Sequence, residues 1–410
     1  MDFAALGIEI TSELEGNLLP FWRERSPDHA RGGFIAEMAN DGTIRDDAPR
    51  GLILNSRLLW AFSALYRQLG DHRDLELARR AYEVLESGFR DREHGGYFWR
   101  INAEGGVLDS TKKIYGQAFC VYALSEYALA IGEPEPLAAA CELFQLVERH
   151  AHDSDFGGYF EARAADWSIT SDLRLSAKDM NAAKSMNTHL HILEASTNLY
   201  RVWPDPTVAS RLVELITIFG RHIISHGAGD PHLHHFFDEA WNLCSDTRTY
   251  GHDIEAVWLL GEAAETLANE ELEARVRLWS IELARSVLAQ ALDADGGLAY
   301  EGRSGEVINP DRDWWCQAEA VVGFWHAYSL TGEPAFADAA TKVWHFIEQS
   351  MVDRTHGEWF WRVRADGTVD ETEPKVSEWK GPYHTVRMCL EMLRRLDEGT
   401  IGGSHETARI

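Results

Sequence analysis

A glycine and aromatic signature recurs about every 60 residues along this 410-residue chain, always between two long helical stretches. It reads Gly32-Gly33-Phe34, Gly95-Gly96-Tyr97-Phe98, Gly157-Gly158-Tyr159-Phe160, Gly296-Gly297-Leu298-Ala299-Tyr300 and His356-Gly357-Glu358-Trp359-Phe360. A degenerate copy, His235-Phe236-Phe237-Asp238-Glu239, fills the one long gap and restores an even spacing of six. A fixed period of this size marks one supersecondary unit repeated. Each unit reads as helix, hairpin-bearing loop, helix, so six units predict twelve helices.

Apolar periodicity and helix stop signals place those helices at roughly 2–24, 51–70, 73–91, 113–131, 134–151, 186–203, 206–226, 251–268, 270–292, 314–331, 333–351 and 382–397. Gly70-Asp71, Gly132-Glu133, Pro204-Asp205 and Gly332-Glu333 are tight breaks, whereas the Gly-Gly loops are long. Short connections join antiparallel neighbours, so all long loops fall at one end of an up-and-down ring. Even-numbered helices such as 52–69 are apolar nearly all round, the pattern of a helix covered on both sides, while odd-numbered ones such as 73–90 carry a charged face. The predicted fold is all-α: an (α/α)6 barrel with short hairpins over one mouth. It forms a single domain, residues 1–397, followed by a frayed tail, 398–410, and no Pro/Ser-rich linker divides it.

The chain carries a formal charge of -27, which disfavours nucleic acid and anionic membranes and leans toward a neutral substrate. Cys120, Cys141, Cys244, Cys316 and Cys389 are scattered without metal-binding or redox spacing and read as reduced thiols. The N-terminus lacks a signal-peptide pattern, and no apolar run approaches a membrane span. A cytoplasmic enzyme, monomeric rather than dimeric, is the expectation.

Because each long loop feeds an inner helix, the first turns of six inner helices converge on one mouth. They carry Asn55 and Arg57; Tyr115 and Gln117; Asn187, His189 and His191; His252, Asp253 and Glu255; Trp314, Trp315, Gln317 and Glu319; and Tyr383, His384 and Arg387. Buried polar groups need partners, so such a set on apolar helices marks a site. Arg57 is a candidate ion-pair partner of Glu255 or Glu319. Glu255, one turn after His252, shares its helix face and is a candidate to orient the imidazole. Trp314, Trp315 and Trp379 read as core or as platforms for sugar rings.

A histidine suits proton abstraction and return near neutral pH. Two from opposite sides of a ring, His252 and His384, address both faces of one carbon, and an arginine nearby stabilises an enolate oxygen. That apparatus inverts a carbon alpha to a carbonyl, as in C2 epimerisation of an open-chain aldose. His232, His234 and His235 crowd one loop without a recognised metal spacing, and His252 with Glu255, though plausibly spaced for two ligands, sits in a helix start, so no metal or other cofactor is expected. An inverting glycoside hydrolase using Asp179, Glu255 or Glu319, and a sugar-binding protein using only the tryptophans, remain the rival readings.

The segments Leu54-Asn55-Ser56-Arg57, Lys113-Ile114-Tyr115-Gly116-Gln117-Ala118-Phe119, Met186-Asn187-Thr188-His189-Leu190-His191-Ile192-Leu193-Glu194, Tyr250-Gly251-His252-Asp253-Ile254-Glu255, Trp314-Trp315-Cys316-Gln317-Ala318-Glu319 and Glu378-Trp379-Lys380-Gly381-Pro382-Tyr383-His384 resemble cellobiose 2-epimerases of the N-acylglucosamine 2-epimerase superfamily. The resemblance spans nearly the whole chain. It implies a cofactor-free barrel in which His252 and His384 exchange the C2 proton through a cis-enediolate. By the same resemblance His191 assists ring opening, Arg57 holds the enediolate oxygens and Glu255 orients a histidine. Tyr115, Asn187, Asp179, Trp315, Trp379 and Glu319 are then sugar contacts. Members of the superfamily act on disaccharides, on mannose or glucose, or on N-acetylglucosamine, and some are aldose-ketose isomerases. The degenerate loop bearing His232, His234 and His235 is where subfamily differences at the mouth are expected.

Overall fold

Gly70, Gly132 and Gly332 adopt φ of 74°, 69° and 70°, the left-handed conformation that ends a helix cheaply only at glycine. Each stop is followed within two or three residues by the next helix, which gives the tight ends of the antiparallel pairs. The structure is a computed structural model that describes residues 3–227 and 230–405, with side chains through Asp397. Among the described residues there are twelve α-helices: α1 (Phe3–Glu13), α2 (Leu52–Leu69), α3 (His72–Val84), α4 (Ile114–Ile131), α5 (Pro134–Ala151), α6 (Met186–Val202), α7 (Pro206–Ile218), α8 (Tyr250–Leu267), α9 (Glu270–Gln290), α10 (Trp314–Thr331), α11 (Pro334–Phe346) and α12 (Tyr383–His405). α12 runs past the expected end at 397, and residues 406–410 of the expected tail lie outside the described residues.

The even helices neighbour one another in the order α2, α4, α6, α8, α10, α12, and α12 returns to α2, so the ring closes. Each odd helix packs outside an even one, α1 against α12. Burial follows that division: α2 is buried at every position from Leu52 to Leu65, whereas α3 buries only Asp74, Ala78 and Ala81. This is the (α/α)6 barrel. The first outer helix is shorter than its apolar pattern suggests, because α1 passes into two π-helical turns, Leu14–Leu18 and Phe21–Arg25. Similar single π turns end α3, α7 and α11, at Leu85–Phe89, Phe219–Ile223 and Ile347–Met351. No helix among the described residues is long and apolar enough to cross a membrane.

The Gly-Gly turns do form tight hairpins, bridging Arg90 to Tyr97, His152 to Tyr159 and Val352 to Trp359. Most of the strand pairing, however, runs between successive loops and not within one. Arg50–Gly51 pairs antiparallel with Arg100–Ile101, Lys112–Lys113 with Ala162–Arg163, Lys184–Ser185 with Phe236–Phe237, Thr247–Thr249 with Glu301–Arg303, and Arg312–Asp313 with Arg362–Val363. A Met38 to Val376 bridge joins last loop to first. The loops are thereby laced into a collar that fixes the start of every inner helix.

A repeated ion pair pins each loop to the segment behind it: Asp28 with Arg50, Asp91 with Lys112, Asp153 with Lys184, Asp230 with Arg248, Asp293 with Arg312 and Asp353 with Lys375. The lysines are fully buried, and Lys184 Nζ also donates to the carbonyls of Gly157 and Glu239 at 2.8 Å. Four of the polar residues expected at the mouth serve this collar. Gln117 holds both the N–H and the carbonyl of Tyr97, each at 2.9 Å, and Gln317 does the same to Leu298 at 2.8 and 2.9 Å. His189 Nε2 accepts from Tyr159 N at 2.9 Å, and Asp253 Oδ1 from Leu233 N at 2.8 Å. They satisfy buried backbone and do not converge on a pocket.

Gly158 shows how close that fit is. Its φ is +76°, and a β-carbon there would come within 2.6 Å of His189 Nε2 and Trp241 Cζ2. Gly158→Ala is expected to cost about 1–3 kcal/mol of stability, read as a lowered denaturation midpoint.

Candidate active site

Inside the collar the first turns of the six inner helices surround a cavity of about 230 Å³. Arg57, Tyr115, Asn187, His191, His252, Glu255, Trp315, Trp379 and His384, all expected from the sequence, line it. The residues that hold them from behind decide their chemistry.

His384 Nδ1 lies 2.6 Å from Glu319 Oε1. His191 Nδ1 lies 2.8 Å from Glu194 Oε2. A carboxylate only accepts, so each imidazole carries its proton on Nδ1 and turns a bare Nε2 to the cavity. Burial pulls His384 down to about 3, against the hydrogen bond and charge of Glu319, and burial likewise lowers His191. Both are neutral bases at pH 7. His252 is also lowered, by burial and then by His235, and its Nδ1 meets the hydroxyl of Thr249. Its ring packs on Trp315 at a centroid distance of 4.7 Å, and Trp315 reaches His384 at 5.8 Å, so one indole borders both histidines.

Glu255 does not orient His252. Its Oε1 accepts from Arg387 Nη2 at 2.6 Å, and the same nitrogen donates to Glu319 Oε1 at 2.6 Å. Arg387 Nη1 donates to Glu194 Oε1, and Tyr383 OH donates to the same oxygen at 2.5 Å. One buried guanidinium thus gathers three carboxylates, and two of these hold histidines. Glu319 is therefore a support for His384, completed by Trp258 Nε1 at 3.1 Å, and not a sugar contact. Burial and the neighbouring Glu319 carboxylate push Glu255 well above the ordinary carboxylate range, while Arg387 and His384 hold Glu319 low despite its burial. Of the two carboxyls, Glu255 is thus the one shifted toward its neutral acid, and its Oε2 has no protein partner.

Arg57 makes no ion pair with Glu255 or Glu319 either. Its Nη1 donates to the Trp379 carbonyl at 2.7 Å and its Nη2 to Tyr115 OH at 3.1 Å, with the guanidinium carbon 4.6 Å from the Phe119 ring centroid and 4.8 Å from that of Tyr383. Because none of these partners is charged, its positive charge is left for the cavity. Burial pushes the Tyr115 phenol up to about 12, so it remains a hydroxyl. Asn187 Oδ1 has no protein partner.

Asp179 lies apart from this cavity. Its Oδ2 accepts from Ser176 N and Oγ at 2.7 and 2.8 Å, and it lines an adjoining cavity of about 410 Å³. The two cavities share Lys178, Asn187, His252 and Tyr300. Glu255, Glu319 and His384 bring one ligand atom each within 4.8 Å of one another, but Arg387 already occupies both carboxylates. Sequence reasoning missed Lys178, Tyr300, Asp313, Trp361, Arg362 and Glu373 in the wall. Tyr300 closes the signature Gly296 to Tyr300, a signal that was available, whereas Trp361 lies just past the last signature and packs tilted against Trp314 at a centroid distance of 4.5 Å.

A helical barrel whose mouth gathers neutral histidines, an arginine and tryptophans defines a carbohydrate-processing protein with acid/base chemistry. The chain belongs to the N-acylglucosamine 2-epimerase (GlcNAc 2-epimerase) family, whose sequence model matches residues 33–387. It is 42% identical over 387 residues to a cellobiose 2-epimerase of Bacteroides fragilis, covering 94% of this chain and 98% of the relative. Among solved structures, a cellobiose 2-epimerase of Bacillus thermoamylovorans superposes with a TM-score of 0.90 at 36% identity, covering 96% of this chain and 100% of that one. A cellobiose 2-epimerase of Spirochaeta thermophila does so with 0.88 at 38% identity, covering 97% and 98%.

Proposed function

We propose that this protein is a cellobiose 2-epimerase, interconverting glucose and mannose configurations at C2 of the reducing-end sugar of β-1,4-disaccharides. The observation that carries the reading is the pair His252 and His384 on one cavity beside the unpaired charge of Arg57. One histidine Nε2 takes the C2 proton, the C–H electron pair passes into a cis-enediolate, and the other histidine returns a proton to the opposite face. Arg57 stabilises the enediolate oxygens as charge develops there. His191, aimed by Glu194, serves ring opening, and Tyr115 and Asn187 bind hydroxyls. Trp315 and Trp379 wall the sugar. The adjoining cavity, continuous through Asn187 and His252, offers the room a second ring needs, and Asp179 lies there. The five cysteines are free, three of them buried, which suits a reducing, cytoplasmic setting.

Cellobiose incubated in deuterated water and followed by NMR tests this. Deuterium at C2 of a glucosyl-mannose product is the expected result. Label at C1 of a ketose would make the enzyme an isomerase, and free glucose a hydrolase. Since Arg387 already compensates Glu255 and Glu319, the carboxylates of the buried trio that they form with His384, activity is expected to survive exhaustive chelation undiminished. A loss restored by a single metal ion would refute that.

A further inference from the structure

His191 and His384 are each backed by a carboxylate, and His252 is not. Its Nδ1 makes a short contact with Thr249 Oγ1, and Thr249 lies on the strand that leads into α8. Behind Thr249 stands His235, from the degenerate loop that the repeat alone left without a role. His235 Nε2 accepts from Thr249 N at 3.0 Å and lies 3.3 Å from Thr249 Oγ1. An imidazole nitrogen that accepts a backbone N–H is unprotonated, so His235 offers its lone pair on the Thr249 side. Burial, followed by the neighbouring His232, keeps His235 neutral with a value of about 4.

We infer that Thr249, backed by His235, is the positioning residue that makes His252 a base. The inference rests on the epimerase reading above. The chain of donors runs His252 Nδ1–H to Thr249 Oγ1 and Thr249 O–H to His235 Nε2, whose single lone pair is shared with the stronger 3.0 Å bond from Thr249 N. It fixes the proton of His252 on Nδ1 and leaves its Nε2 bare toward the cavity, as Glu319 does for His384. The two supports differ in one respect. A carboxylate stabilises the imidazolium formed when a histidine takes the C2 proton, and a hydroxyl does so far less. The His252 cation is accordingly the more eager to return its proton, and the two faces of C2 are served by unequal bases. In the alternative tautomer, with Thr249 donating to His252 Nδ1, Nε2 carries a hydrogen and cannot abstract. Removing the hydroxyl therefore disables one face and spares the other.

The test is Thr249→Val, which keeps the shape and removes the hydroxyl, with Thr249→Ser as the conservative rescue and Thr249→Ala as a second variant should valine perturb folding. Wild-type and variant are incubated in deuterated water with cellobiose and, separately, with glucosyl-mannose. C2 exchange into unreacted sugar and epimer formation are followed together. Epimerisation is expected to fall about tenfold or more in both directions. C2 exchange without inversion is expected to persist near the wild-type rate from the one epimer whose proton faces His384. Thr249→Ser should restore epimerisation. Equal loss of exchange and epimerisation from both sugars would reduce Thr249 to a structural residue, and unchanged epimerisation would overturn the inference outright. A wild-type enzyme that leaves both sugars unepimerised would instead defeat the functional reading itself.

Discussion

His384→Asn lowers turnover on cellobiose by about 10²- to 10⁴-fold, the range a positioned acid/base group supplies, while leaving the fold and substrate binding close to wild type. The asparagine amide retains a hydrogen bond to Glu319 Oε1, now held at 2.6 Å by His384, so Glu319 keeps two partners on that oxygen, the amide and Arg387. Only the bare Nε2 at the cavity is lost. The measurement is kcat and KM from the rate of glucosyl-mannose formation, with a thermal melt as the control for folding. A kcat within a few-fold of wild type would remove His384 from the chemistry and turn attention to His191, the other carboxylate-backed histidine on the cavity.

That assignment depends on supports that spacing in the chain does not reveal. The Gly-Gly-aromatic period and the alternation of long and short connections were enough to read the ring, the inner and outer helices and the mouth at which loops gather. Helix-start positions were enough to bring Arg57, His191, His252 and His384 together. The same reasoning misassigned their partners. Glu255 follows His252 by one turn and shares its helix face, yet its carboxyl reaches across the barrel to Arg387. Pairing between elements is set by which inner helices face each other at a given depth, and periodicity carries no depth. Gln117, His189, Asp253 and Gln317 were grouped with the site because they too start inner helices, but they lie where the collar needs backbone partners. One signal was legible and unused. An aspartate stands four residues before the first glycine at Asp28, Asp91 and Asp153, and each meets a basic residue just before the following inner helix.

Arg387→Met tests the deeper layer of the site and carries the largest expected effect on stability. Arg387 is 1 % exposed and contacts carboxylates from α6, α8 and α10, so its removal leaves the buried anions Glu194 and Glu319 without their cation. Breaking a buried ion pair from one side costs about 3–5 kcal/mol, read as a fall in the denaturant midpoint at unchanged m value. Lysine should not rescue it, because a single ammonium cannot span carboxylates on three helices as the guanidinium fork does. Glu255→Gln provides the contrast. Burial and the Glu319 carboxylate shift Glu255 toward its neutral acid, and its Oε2 has no protein partner. Exchanging a neutral acid for a neutral amide should therefore change stability by less than about 1 kcal/mol. If the glutamine variant instead lost as much stability as Arg387→Met, Glu255 would be an anion, the cluster would carry a second uncompensated charge, and the neutral histidines above it would need another explanation.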